Sequence, residues 1–295
     1  MGGDPYDIIE AKAPRGPRRW IGLAALAALV VVPVGFLLAG REPGAVPHVQ
    51  APEPARTVAT EREVPNLLHP RPRHRNGREI LDVVFPDGSS AEIGYPAELG
   101  LARLGVRPAT TGWLDGVPDS YRRLTTPQGG PAGVSRGQPM IRKLTGKVTL
   151  WQPMSPAEGE TLLFAFDPWY VALRDLKSGT TFEQRLLWAR NLRGKVTGDG
   201  HLVLTARPPL RLAVPGQIVG GEQAGPQLWF GGARETLLVL APVPGCDVAA
   251  IELSVIEQRQ RFSAEACRDG VYVAASGERG HVERTIAGLT VRRTA

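Results

Sequence analysis

The sequence has few cysteines, few histidines and only one long apolar run. Two cysteines in 295 residues exclude a small disulfide-dense scaffold, and a single long apolar run excludes a multi-span transporter. The five histidines and two cysteines show no spacing typical of a metal site. Hydrophobic residues still make up 42% of the chain, which is enough to bury a core. We therefore expect a folded protein without a metal or another cofactor.

The charge of the chain is basic but not concentrated. The net charge is +6, and Arg supplies 30 of the 35 basic side chains. Binding to nucleic acid calls for basic residues on one face together with a recognisable module. No such module occurs, and both signs of charge are mixed after residue 41. The sequence therefore predicts no nucleic-acid partner.

The single apolar run extends from Ile21 to Gly40 and contains no charged residue. Twenty helical residues span about 30 Å, the thickness of the hydrocarbon core of a bilayer. Pro33 lies within the run, where membrane helices tolerate proline better than soluble helices do. Trp20 stands at the boundary, where indole rings are favoured. The run is predicted to be a transmembrane helix, with the lipid bilayer as its partner.

Basic residues flank this run mainly on its N-terminal side: Lys12, Arg15, Arg18 and Arg19. On the other side, Arg41 stands alone and is followed by Glu42. Because basic flanks stay in the cytoplasm, residues 1–20 are predicted to be a short cytoplasmic N-terminus, with the rest of the chain extracytoplasmic. A cleaved signal peptide is the alternative, but its apolar region is normally shorter and the residues before Arg41 make a poor cleavage site.

Small residues recur four positions apart in the run, as in Ala24 with Ala28 and Gly35 with Ala39. Such pairs let two membrane helices approach closely. Because small residues are also common in Ala-rich spans, a homodimer through this helix stands as an alternative to a lone span.

The chain after the run divides by composition. Residues 41–77 contain seven prolines, many charges and little apolar periodicity, so they are predicted to form a disordered Pro-rich tether. Residues 78–295 are predicted to form the folded domain. Turn sequences at 86–89 (PDGS) and 197–200 (TGDG), each between apolar runs, predict two β-hairpins.

The remaining elements follow from the same signals. Residues 96–104 predict a short helix, and the Gly-, Pro- and Thr-rich residues 105–142 predict a long loop. Strand-like runs are found at 144–151, 161–166, 169–173, 186–196, 201–206, 227–230, 236–240, 250–256, 271–275 and 285–292. The chain is therefore predicted to be mainly β, with a β-sandwich or barrel-like extracytoplasmic domain and at most one or two short helices.

Cys246 and Cys267 both belong to the part predicted to lie outside the membrane, where no reducing thiol pool protects them. We expect a disulfide between them, formed across the open end of a hairpin that turns near residues 257–260. The bond would stabilise the fold by roughly 3 kcal/mol in the chain-entropy model. A redox-catalytic pair would normally have Cys-x-x-Cys spacing.

Catalytic signals are weak. Ser135 has the Gly-x-Ser-x-Gly spacing of a nucleophile elbow, with His201 or His281 as its candidate base, but neither a strand before it nor a helix after it is predicted. This gives one alternative function, a cell-envelope serine hydrolase. A second alternative is a glycan-binding module in which Trp113 or Trp169 offers a stacking surface.

The segment ILDVVFPDGSSAEIGYPAELGLARLGVRP at 80–108, with the basic N-terminus, single span and Pro-rich tether, resembles uncharacterised single-pass membrane proteins of actinobacteria. The resemblance covers about a third of the chain and implies no activity. The leading hypothesis is a membrane-anchored binding or scaffold domain without catalytic residues, acting on an envelope protein or a wall polymer.

Overall fold

A computed structural model describes residues 66–294, apart from residues 154, 156, 157, 177, 178, 233–235 and 260. Outside the described residues lie the predicted membrane run 21–40 and the residues assigned to anchor and orient it: Trp20, Ile21, Pro33, Gly40, Lys12, Arg15, Arg18 and Arg19. Among the described residues, no helix is both long enough and apolar enough to cross a membrane. The described residues all belong to one compact unit, Thr60–Ala295.

The protein is mainly β, as predicted. A four-stranded antiparallel sheet has the order β1-β2-β3-β19, with β1 at Arg73–Arg75, β2 at Arg78–Val84, β3 at Ser90–Pro96 and β19 at Thr290–Thr294. In β2, Leu81 and Val83 are buried while Asp82 between them is exposed, which is the alternation of a half-buried strand. The predicted hairpin at residues 86–89 is confirmed as the β2–β3 turn.

The larger sheet has eleven strands and follows the order β17-β18-β16-β15-β4-β5-β9-β8-β7-β6, with β12 also paired to β4. All its pairings are antiparallel. Its strands are β4 Val106–Leu114, β5 Arg122–Thr125, β6 Met140–Thr145, β7 Val148–Trp151, β8 Thr161–Phe166, β9 Trp169–Arg174, β12 Leu210–Leu212, β15 Gln227–Gly231, β16 Leu237–Pro242, β17 Phe262–Arg268 and β18 Val271–Gly277.

Two short hairpins complete the strands. Strands β10 (Leu192–Val196) and β11 (Leu202–Ala206) pair across the turn at 197–200, which confirms the second predicted hairpin. Strands β13 (Ile218–Val219) and β14 (Glu222–Gln223) form a hairpin of two residue pairs.

The largest apolar side chains gather into two main cores. The first core joins the four-stranded sheet to β15, β16 and β18, and includes Tyr95, Phe230 and Leu240. The second core lies around Trp188 and Phe164, with side chains from β7, β8, β9 and β12. Strand β4 contributes Val106 to the first core and Leu114 to the second, so this strand joins them.

Helices are more numerous than predicted. The described residues contain five α-helices rather than at most one or two: α1 Leu101–Leu104, α2 Gly130–Ser135, α3 Phe182–Asn191, α4 Ser254–Glu257 and α5 Arg279–Gly288. Two single 3₁₀ turns lie at Ala97–Leu99 and Val248–Ala250. The predicted helix at 96–104 is therefore confirmed as a 3₁₀ turn followed by α1.

Three predicted strands are wrong over part of their length, and in two of them local capping favours helix. Residues 186–191 belong to α3, which begins with a reciprocal capping box between Thr181 and Gln184. Residues 285–288 belong to α5, whose first turn is capped by Glu278. Residues 250–256 form the end of a 3₁₀ turn and most of α4 rather than a strand.

The loop predicted at 105–142 contains the nine-residue strand β4, together with β5 and α2. Strand β4 has the sequence VRPATTGWL, which lacks an apolar alternation because both its faces are covered. Gly112 within it is required by close packing, since a Cβ there would lie 2.9 Å from Trp188 Cη2 and 2.8 Å from the Arg211 carbonyl oxygen.

The folded part of the chain begins before residue 78. The Asn66 side chain is buried, donates to the Pro127 and Tyr170 carbonyls at 2.9 and 2.7 Å, and accepts from the Tyr170 amide at 2.9 Å. The Leu68 and Val106 backbones bond to each other in both directions. The predicted tether boundary at residue 77 is therefore too late, because its last residues pack on the domain.

An ion pair is buried beside β5. Arg122 Nε lies 2.8 Å from Asp175 Oδ1, and both side chains are almost wholly excluded from solvent. Burial alone raises the pKa of the Asp175 carboxyl, but hydrogen bonds from Thr180 and Arg122 lower it by more, so the pKa lies below its ordinary value. The carboxylate is thus held charged inside the domain.

We predict that Arg122→Ala lowers the free energy of unfolding by about 3 kcal/mol, because it removes the nearest cation from the buried Asp175 carboxylate and leaves it the more distant Arg185, at 3.7 Å. Urea unfolding of the purified chain measures the change. The control is Arg211→Ala, which removes an exposed pair with Asp115 and is expected to cost less than about 1 kcal/mol. Equal losses in the two variants would contradict the assignment.

Candidate functional site

Cys246 and Cys267 lie within disulfide distance, with their Cα atoms 5.9 Å apart. Both cysteines pack at the edge of a small apolar cluster that includes Tyr272. The chain between them is not the predicted strand–turn–strand hairpin, since only its last part, in β17, is a strand. The pair instead ties the loop before the Val248–Ala250 turn to the outermost strand of the large sheet.

Ser135 does not occupy a nucleophile elbow. It is the last residue of α2, and its Oγ donates to the Ala132 carbonyl at 3.4 Å, within its own helix. Within the described part of the chain, neither His201 nor His281 hydrogen-bonds to it. The two histidines belong to other elements, the turn before β11 and helix α5. The residues of the hydrolase alternative are therefore not assembled.

The two tryptophans considered as stacking surfaces differ in position. Trp169 is buried and donates its Nε1 hydrogen to the Gly200 carbonyl at 2.8 Å, so it is a core residue. Trp113 is half-buried and packs against Tyr121, with ring centroids 5.3 Å apart and planes tilted by 41°. Tyr121 itself is 44% exposed. The exposed aromatic surface is therefore that of Tyr121, with Trp113 behind it.

A polar cleft opens beside Tyr121. We call it the Gln223 cleft, and its volume is about 390 Å³. Its principal lining residues are Tyr121, Arg123, Leu176, Glu222, Gln223 and Ser254. Small-molecule sites usually measure about 300–1,000 Å³, so the cleft has room for a small ligand.

The cleft is built by segments distant in sequence. Arg123 comes from β5, Ser254 begins α4, and Glu222 and Gln223 form β14. The β13–β14 turn consists of Gly220 and Gly221 with φ of 61° and 87°, the left-handed values that favour glycine and a tight hairpin. This hairpin forms one rim of the cleft.

Three side chains of the cleft form a charge-balanced network. The Arg123 guanidinium pairs with the Glu222 carboxylate. Ser254 Oγ donates to Glu222 Oε2 at 2.9 Å and accepts from Arg123 Nη1 at 3.3 Å. Since both ionised side chains remain about one-third exposed, they are held in place but stay accessible to a ligand.

Gln223 is the unusual residue of the cleft. Its backbone is satisfied, with the amide donating to Glu252 and the carbonyl accepting from the Gln227 side chain. The side chain is 0% exposed, and neither Oε1 nor Nε2 has a hydrogen-bond partner among the described residues. Burying such a group unpaired costs on the order of 1–3 kcal/mol. The carboxamide therefore lies unpaired inside the domain, next to Gly225 and sealed from solvent.

We predict that Gln223→Met raises the free energy of unfolding by about 1 kcal/mol, because it keeps the shape of the side chain and removes two unpaired polar atoms. The control is Gln227→Met. Gln227 is equally buried, but its amide donates to the Gln223 carbonyl and accepts from Trp229 Nε1, so its loss is expected to destabilise the protein. Urea unfolding of both variants measures the contrast, and a similar loss in both would show that Gln223 is satisfied.

His201 faces a second cavity, of about 430 Å³, which is also lined by Leu68, His69 and Asp199. Its imidazole is almost wholly buried, and neither ring nitrogen has a partner among the residues described. Burial lowers the pKa of His201, and the nearby Asp199 only partly offsets this. The residue is thus held neutral inside the domain.

The direction of this shift sets a pH dependence. Because the folded-state pKa of His201 lies below the unfolded value of about 6.5, its stabilising contribution is complete above pH ~6.5 and is lost as the pH falls toward the folded-state pKa. We predict that His201→Gln removes this part of the acid-induced loss of stability, as measured by urea unfolding across pH 4.5–8.

The matched control for this prediction is His74→Gln, since His74 is an exposed residue of β1. The control is expected to keep the wild-type pH profile. Parallel profiles for His201→Gln and wild type would contradict the assignment.

In the described part of the chain, no group of three or more His, Cys, Asp or Glu side chains is placed to hold a metal ion. Comparisons with protein-family models, curated proteins and solved structures found no match.

The sequence reasoning missed the cleft. None of the lining residues is a sequence-based candidate, and the sequence points only to Trp113, which packs against Tyr121. The Gly220-Gly221 turn was a usable local signal, but the meeting of β5, β14 and α4 depends on long-range pairing that no short motif encodes.

Proposed function

We propose that this chain is a single-pass membrane protein whose extracytoplasmic β-rich domain binds an envelope protein or a wall polymer without catalysis. The observation that carries the proposal is the Gln223 cleft, which combines an exposed aromatic ring with a charge-balanced polar network. Such a surface suits ligand recognition. Ser254 Oγ donates to Glu222 in this cleft, but Arg123 pairs with the same carboxylate and so reduces its strength as a base.

The membrane placement is supported by the sequence. The run 21–40 is long and uncharged, and the basic residues before it favour a cytoplasmic N-terminus. A cysteine pair at disulfide distance suits an oxidising compartment. On this proposal the β-sandwich or barrel-like domain is joined to the membrane helix by a Pro-rich tether.

The proposal is tested by site-specific photo-crosslinking in intact cells. A benzophenone amino acid replaces Tyr121 in the full chain, and in a control variant it replaces Phe182, which is equally exposed at 43% but does not line the cleft. We expect ultraviolet light to give an adduct with an envelope component from position 121 only, in a protein that stays in carbonate-washed membranes.

Three outcomes would overturn the proposal. The first is the same adducts from both positions, or none from position 121. The second is release of the chain from membranes by carbonate. The third is stoichiometric labelling by a fluorophosphonate probe that disappears in Ser135→Ala, since this would reinstate the hydrolase.

A further inference from the structure

Resting on the proposed function, we propose that the Gln223 cleft binds a neutral saccharide through one pyranose unit stacked on Tyr121. Three independent properties of the cleft lead to this ligand class: its charge balance, its exposed aromatic face and its hydroxyl-matching polar groups.

The charge of the cleft favours a neutral ligand. Its lining contains one cation, Arg123, and one anion, Glu222, and these two pair with each other. An anionic ligand such as a phosphate would have to compete with Glu222 for the guanidinium, while a cationic one would have to compete with Arg123. A neutral ligand can hydrogen-bond to the exposed sides of both groups without competing with either for its partner.

The aromatic face favours a ring with exposed C–H groups. Tyr121 is 44% exposed, and Trp113 packs behind it and limits its freedom to rotate away. The C–H groups on one face of a pyranose carry small positive partial charges and pack well on the negative face of an aromatic ring. Leu176, which is 56% exposed at the same cleft, adds an apolar contact for the edge of that ring.

The polar groups match hydroxyls. A hydroxyl both donates and accepts, so it suits a site that offers both functions at close spacing. Arg123 donates, Glu222 accepts, and Ser254 already does both within the network.

The size of the cleft sets the length of the ligand it covers. A volume of about 390 Å³ lies near the lower end of the range for small-molecule sites, and the β13–β14 turn at the rim consists of two glycines, which have no side chains. The cleft therefore holds one or two sugar units and lets a longer chain continue into solvent, as recognition of a polymer requires.

The test uses isothermal titration calorimetry of the full chain with three neutral disaccharides: maltose, cellobiose and N,N′-diacetylchitobiose. At least one is expected to bind with a Kd below ~1 mM. Galacturonic acid, a charged sugar, is expected to bind at least about tenfold more weakly than the best of the three.

Variants assign the binding to the cleft. Tyr121→Ala is expected to weaken the best disaccharide about tenfold, whereas Phe182→Ala leaves its affinity unchanged. Ser254→Ala is expected to weaken binding by a similar factor, because it removes a hydroxyl of the cleft network, and its urea unfolding midpoint shows that the variant is folded. Binding that survives both cleft variants would overturn the inference.

The outcomes separate this inference from the function on which it rests. If no disaccharide binds but position 121 still crosslinks to an envelope component in cells, the saccharide class is wrong and the binding function stands. If the disaccharides do not bind and position 121 gives no adduct, both proposals fall.

Discussion

Strand β4 is the constraint on which the rest of the domain depends. Its first residues pair with β15 and its last with β12 along one edge, while β5 pairs with its middle along the other. Val106 at one end lies in the first core, and Leu114 at the other end lies in the second. Neither core is complete unless this strand passes between them. At Gly112 in this strand, the contact with Trp188 leaves no room for a side chain.

The same strand geometry places the cleft. Along β5, successive side chains point to opposite faces, so adjacent arginines have different roles. Arg122 points inward and pairs with buried Asp175, whereas Arg123 points outward and meets Glu222. Because Asp175 is fixed by this pair, Leu176 directly after it is held at the cleft. The buried ion pair thus positions two exposed groups of the cleft, Arg123 and Leu176.

The sequence predicted the elements with strong local signals and missed those that depend on distant contacts. The hairpin turns at 86–89 and 197–200 and the apolar strands β8 and β18 follow from turn chemistry and apolar runs. The sequence of β4 predicts a loop because most of its residues are small or polar and show no apolar alternation. They are buried because neighbouring strands cover them. The cleft was unpredictable for the same reason, since Tyr121, Glu222 and Ser254 meet only after the large sheet has formed.

Two buried glutamines four residues apart, Gln223 and Gln227, differ in their hydrogen bonding, and the unpaired one lowers the stability of the domain. Gln227 has a partner for its amide and another for its oxygen, as a structural residue requires. Gln223, fully buried next to it, has neither among the described residues. A methionine of similar shape would remove that cost. Because neither polar atom of the Gln223 side chain reaches solvent, a ligand in the cleft does not recover this cost, which belongs to the fold rather than to recognition.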